Sequence, residues 1–183
     1  MRDESWQTRL MARHAGLFER SVQGRRVRSG FPAVEEGWRD LVETAVARIA
    51  AALAPSFTGA VTITEIKEKF GTLRIYTQSA WLPPGPRAKI EEAIDLAEAR
   101  SACSCETCGA VGRLHDDHGW YTTCCDAHAR GKPVPVRAGQ ENLLIKYAYT
   151  DGKLQVVSCR RYDRERDSFV DVPLPRKQRD GGV

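Results

Sequence analysis

Five of the six cysteines and three of the four histidines fall within residues 103–132, CSCETCGAVGRLHDDHGWYTTCCDAHARGK. So dense a cluster constrains the chain more than any other feature, because a thirty-residue stretch has too little apolar content to fold on its own. Cys105-Glu106-Thr107-Cys108-Gly109 reads C-x-x-C-G, a tight turn from which two thiolates can reach one ion. After sixteen intervening residues comes Cys125-Asp126-Ala127-His128, a C-x-x-H pair. Two such pairs fit a tetrahedral Cys3His zinc site with the spacer folded as a small hairpin, packed on Trp120 and Tyr121. All four positions are then filled by protein, which predicts a structural Zn2+ rather than a catalytic one that keeps a water site. Spacing alone leaves Cys124 open as an alternative to Cys125, and Cys103 as a competitor of the first pair. His115 and His118 have i, i+3 spacing, and we read His115-Asp116-Asp117-His118 as a solvated loop tip. Cys159 reads as a buried thiol.

The remaining sequence supplies the scaffold. A helix is expected from about Ser5 to Glu19, capped by Asp3 or Ser5, with Trp6, Leu10, Leu17 and Phe18 on one face. Residues 21–34 lack periodicity and contain two glycines and a proline, so they are assigned as a loop. Trp38, Leu41, Val42, Ala45, Val46, Ile49 and Leu53 recur at helical spacing, a run stopped by Pro55. From Ala60 the period becomes two, and Lys67-Glu68-Lys69-Phe70-Gly71 is placed at the end of a hairpin. A helix from about Pro86 to Arg100 follows a Pro-rich turn, with Ile90, Ile94 and Ala97 inward. Leu143–Thr150 and Lys153–Tyr162 form a second hairpin across Asp151-Gly152, and Ser168–Val172 a further strand. With no βαβ rhythm, the expected class is α+β: helices packed on antiparallel hairpins, a zinc-ribbon or knuckle-like segment and a C-terminal hairpin. The divisions are 1–102 for a helix/hairpin/helix α+β core, 103–132 for the zinc-binding segment, 133–175 for a C-terminal β-hairpin or meander and 176–183 for a basic disordered tail.

Charge is unevenly spread. Residues 1–30 hold seven arginines against three acids, and residues 133–183 ten basic against seven acidic residues. Arg25, Arg26 and Arg28 form one cluster, and Lys67, Glu68, Lys69 and Arg74 another; both are candidate binding surfaces for phosphates. No glycine-rich phosphate loop, G-x-S-x-G or H-E-x-x-H occurs. The N-terminal MRDESWQTRL lacks the apolar run of a signal peptide, and no apolar stretch is long enough to span a bilayer. A reducing cytoplasm is therefore expected, with no membrane partner.

Lys67-Glu68-Lys69-Phe70-Gly71-Thr72-Leu73-Arg74-Ile75-Tyr76 resembles the K-E-K-F-G-x-L-R-x-Y signature of a family of small, mostly uncharacterised bacterial and phage proteins. Gly37-Trp38 before it, and a C-x-x-C-G … G-W-x-x-x-C-x-x-H segment after it, are similar to that family's pattern. The resemblance covers roughly residues 5–130, and its register implies Cys125 rather than Cys124 as ligand. It implies a scaffold and a metal more than an activity. Three functions follow as expectations. The first is a non-enzymatic, zinc-stabilised module binding a protein or nucleic acid, for instance a phage or bacterial accessory or anti-defence protein. The second is a metal-dependent phosphodiester-acting enzyme using the Lys67–Arg74 hairpin. The third is an assembly component.

Overall fold

The computed structural model describes residues 4–53, 57 and 59–173. The Asp3 cap, the Pro55 stop and the 176–183 tail lie outside the described residues. The chain divides into two compact units, 1–134 and 135–183. Residues 103–132 thus belong to the same unit as the helical core. The class is α+β, with four α-helices and small, mainly antiparallel sheets among the described residues.

In the first unit, α1 (Trp6–Arg13) starts where the Ser5 hydroxyl accepts the Thr8 amide at 3.3 Å. The single helix expected to Glu19 breaks at His14 (φ −119°, ψ 38°), and α2 (Ala15–Phe18) is a separate turn. The break lets Trp6 and Leu10 enter the same core as Leu17 and Phe18. Residues 21–34 are not a loop. β1 (Glu19–Val22) and β2 (Arg25–Arg28) form an antiparallel arm, and β3 (Pro32–Ala33) pairs in parallel with the next long strand. Both arm faces are solvated, so its sequence carries no burial alternation by which the strands could be recognised.

After a 3-10 turn at Glu36–Trp38, α3 (Arg39–Leu53) buries the apolar stripe read from its spacing. Each fully buried Val, Leu or Ile there contributes about 1.5–3 kcal/mol of transfer free energy. β4 (Val61–Lys69) and β5 (Thr72–Ser79) form the central hairpin, turning on Phe70 and Gly71 alone (φ 53° and 76°). α4 (Pro84–Ser101) has proline in its first turn and buries Ile90, Ala93, Leu96 and Ala97. β6 (Arg113–Asp117), β7 (Trp120–Cys124) and β8 (Lys132–Pro133) form the sheet of the cysteine-rich segment, in the order β7-β6-β8.

The second unit is an antiparallel sheet of β9 (Leu143–Thr150), β10 (Lys153–Asp163) and β11 (Ser168–Asp171), ordered β11-β10-β9. Asp151 and Gly152 make its turn at φ 51° and 71°. Tyr162 is buried edge-on to Phe169, and its hydroxyl donates to Asp167 Oδ1 at 2.6 Å. Cys159 is buried as expected. Among the described residues, no helix is long and apolar enough to cross a membrane.

Candidate metal centre

Two tight turns carry the four ligands. In the first, the Cys105 amide donates to Ala110 O and the Gly109 amide to Cys105 O, both at 2.8 Å. Gly109 sits at φ 76°, a backbone angle that a Cβ would strain, which is why glycine follows the second cysteine. In the second turn the His128 amide donates to Cys125 O at 3.0 Å. The β6–β7 hairpin between them brings the turns together.

The ligand atoms of Cys105, Cys108, Cys125 and His128 all lie within 4.8 Å of one another. Cys108 Sγ is 3.7 Å from Cys125 Sγ. His128 Nδ1 lies 3.3 Å from Cys125 Sγ and 3.5 Å from Cys105 Sγ. A tetrahedral zinc with Zn–S of about 2.3 Å and Zn–N of about 2.0–2.1 Å needs ligand separations of about 3.8 and 3.5 Å, so the donors fit such an ion.

Charge follows the same geometry. Burial alone would raise the Cys105 thiol, but the amides of Cys125, Cys108 and Thr107, together with His128, lower it to about 6. The Ala110 amide favours the Cys108 thiolate, yet lost solvation and its contacts with the Cys105 and Cys125 sulfurs push that thiol up. Three sulfurs this close repel as thiolates, and a divalent cation between them removes that cost.

The competing positions are accounted for. Cys124 is buried and faces away from the cluster, its Sγ 3.2 Å from His115 Nδ1. That nitrogen also lies 3.0 Å from Arg113 O. A carbonyl only accepts, so Nδ1 carries the proton and is no base for the Cys124 thiol. Cys103 is buried with its thiol donating to the Arg100 and Ala99 carbonyls. Two expectations need correction. His115 is not part of a solvated tip but 2% exposed, whereas His118 does sit in the exposed turn. Trp120, expected to pack the hairpin, is 71% exposed. Both lie on one face of the ladder, His115 pairing with Thr122 and Trp120 with Asp117. His115, however, is on the central strand, flanked on its other side by Pro133 of β8, whereas Trp120 stands at the turn end of the edge strand β7.

The cluster is joined to the core at two places. Trp38, fully buried, donates its indole N–H to Ser104 O at 2.8 Å. Beside it, a Cβ on Gly37 would come within 2.4 Å of the Cys105 and Glu106 carbonyl oxygens and 2.5 Å of the Cys108 nitrogen. Gly37-Trp38 is therefore the seat of the first ligand turn. The second join is the β4–β5 tip. Thr123 Oγ1 donates to Gly71 O at 2.6 Å, and a Cβ on Gly71 would meet Leu114 Cδ1 at 2.3 Å. Farther along β5, the Leu73 amide donates to Ser101 Oγ at 2.8 Å. Nothing in the sequence signalled these contacts, since each depends on segments tens of residues apart.

The hairpin set does not converge on one site, because its three cations share one face and Glu68 lies on the other. Lys67 pairs with Arg74 in the ladder and Glu68 with Leu73, so Glu68 faces the opposite side from Lys67 and Lys69. Lys67 is held by Glu65 at 2.6 Å, Arg74 by Glu98 at 2.9 Å, and the Glu68 carboxylate accepts the Gly71 amide. Lys69 lies over the Phe70 ring, 5.6 Å from its centre. Arg25, Arg26 and Arg28 all lie on the solvated arm.

An open cleft of about 560 Å3 lies beside the cluster, lined in part by Glu35, Glu106, Trp120, His128 and Arg130. Burial, with the nearby charges of Glu35 and Glu68, raises the Glu106 carboxyl to about 7. Glu35 meanwhile accepts a hydrogen bond from the Thr107 hydroxyl at 2.8 Å.

Compared with family models, with curated proteins and with solved structures, the chain gives no match.

Proposed function

We propose that this protein is a non-enzymatic binding module stabilised by one structural Zn2+ held by Cys105, Cys108, Cys125 and His128. The observation that carries the reading is the fit of the sulfur–sulfur and sulfur–nitrogen separations to a closed tetrahedral set. A Cys3His donor set suits zinc, and no ligand position is left for a reacting water. The metal also has a structural task, because the first ligand turn packs on Gly37 and Trp38 and the β6–β7 hairpin that joins the two turns packs on Gly71. Partners are macromolecular, protein or nucleic acid, met on surfaces away from the metal. The reading requires a reducing cytoplasm, in which the thiols remain available as ligands. It includes membership of the K-E-K-F-G-x-L-R-x-Y group, supported by the contacts of Gly37 and Trp38 with the first ligand turn and of Gly71 with the β6–β7 hairpin.

The phosphodiester-acting alternative loses its support, since it needs an acid and bases to converge, whereas the ladder puts Glu68 on the other face from Lys67, Lys69 and Arg74, and Glu65 and Glu98 pair two of those cations. Metal analysis of the purified, reconstituted protein tests the proposal. One zinc per chain is expected, lost in both Cys105→Ser and Cys125→Ser together with the cooperative unfolding of residues 4–134. Variants that keep the metal and the fold would overturn it, as would a wild-type chain that takes up no stoichiometric zinc.

A further inference from the structure

We propose that the β1–β2 arm is a contact element for double-stranded DNA, with Arg25 and Arg26 at its tip binding phosphates. The inference rests on the binding-module reading and names the partner class and the element that meets it.

The arm runs from Glu19 to Arg28 and carries four arginines against one glutamate. Its ladder pairs Glu19 with Arg28, Arg20 with Val27, Ser21 with Arg26 and Val22 with Arg25. Arg26 and Arg28 therefore share one face, and Arg20 and Arg25 the other. The single carboxylate is divided: Glu19 is 3.0 Å from Arg28 and 3.8 Å from Arg26. Arg20 donates to the neutral Gln78 side chain at 3.1 Å, which ties the base of the arm to β5. Arg25 has no carboxylate partner among the described residues, and the Arg26 side chain is 89% exposed. The arm thus presents guanidinium groups on both faces with too little negative charge beside them to neutralise them.

Chemistry selects the occupant. Guanidinium groups match phosphate bidentately and hold their charge at any physiological pH. The arm carries no aromatic ring, so it lacks the stacking platform by which single strands are held. It also lacks the large apolar anchor typical of a protein interface, offering only the half-exposed Val22 and Val27. A two-stranded ribbon is of a size that the major groove of B-form DNA admits, while the A-form groove of RNA is too narrow. Gln23 and Gly24, both at positive φ, make a two-residue turn that keeps the ribbon tip slim.

The test uses the full, metal-loaded chain and a labelled 30-base-pair DNA duplex of mixed sequence, with binding followed by fluorescence anisotropy between 50 and 200 mM KCl. The Arg25→Ala/Arg26→Ala variant should bind at least about tenfold more weakly at 50 mM. Its slope of log affinity against log salt should be shallower by about 2, because two phosphate contacts are lost. Arg25→Lys/Arg26→Lys should keep the wild-type slope, and circular dichroism checks that each variant folds. No binding at 50 mM KCl would overturn the proposal. So would an alanine variant that binds like the wild type, which would place the contact on another basic segment. Tighter binding to single-stranded DNA, to duplex RNA or to phosphatidylserine vesicles would overturn it as well. Metal content is measured on the same samples, so loss of the zinc reading and loss of the DNA reading are told apart.

Discussion

The β1–β2 arm and the tip of the β4–β5 hairpin are built alike. Each turns on two residues with positive φ, Gln23-Gly24 at 50° and 77° in the arm and Phe70-Gly71 at 53° and 76° at the tip. Each carries several cationic side chains near its turn. Their surroundings differ completely. A Cβ on Gly24 would meet nothing within 4 Å, whereas one on Gly71 would run into Leu114. The tip's charges are taken up by Glu65, Glu98 and the Phe70 ring, while of the arm's four arginines only Arg26 and Arg28 reach its one glutamate. Similar local chemistry thus yields a structural joint in one place and an open surface in the other. The difference lies in what the rest of the chain places opposite the turn.

Unfolding of the metal-loaded protein can break or sharpen this comparison. All four tryptophans lie in residues 4–134, so their fluorescence reports that unit alone. The largest effect is expected from Gly37→Ala, because its Cβ meets backbone oxygens that cannot swing aside; a loss above about 3 kcal/mol, with weakened metal retention, follows. Gly71→Ala should cost about 2 kcal/mol, from the left-handed backbone and the displaced Leu114 side chain together. Thr123→Val keeps the shape of the side chain but leaves the Gly71 carbonyl without its buried donor, for a loss of about 1–2 kcal/mol. Gly24→Ala carries the backbone strain without any clash, so about 1 kcal/mol or less is expected. That strain should appear as faster amide exchange in the arm, with the tryptophan transition scarcely moved. Equal global costs for Gly24→Ala and Gly71→Ala would show that the two hairpins do not differ as described.

The ligand set was the most legible part of the sequence, because C-x-x-C and C-x-x-H impose their own local turns. Choosing between Cys124 and Cys125 needed the ladder. Adjacent residues of an extended chain point to opposite sides, and only the fold decides which side holds the metal. The α3 stripe and the Asp151-Gly152 hairpin were equally plain, each being periodic or marked by its turn residues. The arm was not, because strands solvated on both faces have no apolar alternation. Trp120 misled for a different reason: a large aromatic ring is expected to pack, but this one stands at the turn end of the edge strand β7 and is 71% exposed.

By itself the sequence determined the α+β class, the candidate ligand pairs up to the choice between Cys124 and Cys125, and the positions of the main helices and hairpins. These rest on interactions within about a turn or a strand pair of each residue. The tertiary structure decided which hairpin is a joint and which an arm. It also made Gly37-Trp38 the seat of the first ligand turn and Gly71 a seat for the β6–β7 hairpin. Those roles depend on backbone atoms brought to within a few ångströms from distant parts of the chain, a proximity that no local pattern encodes.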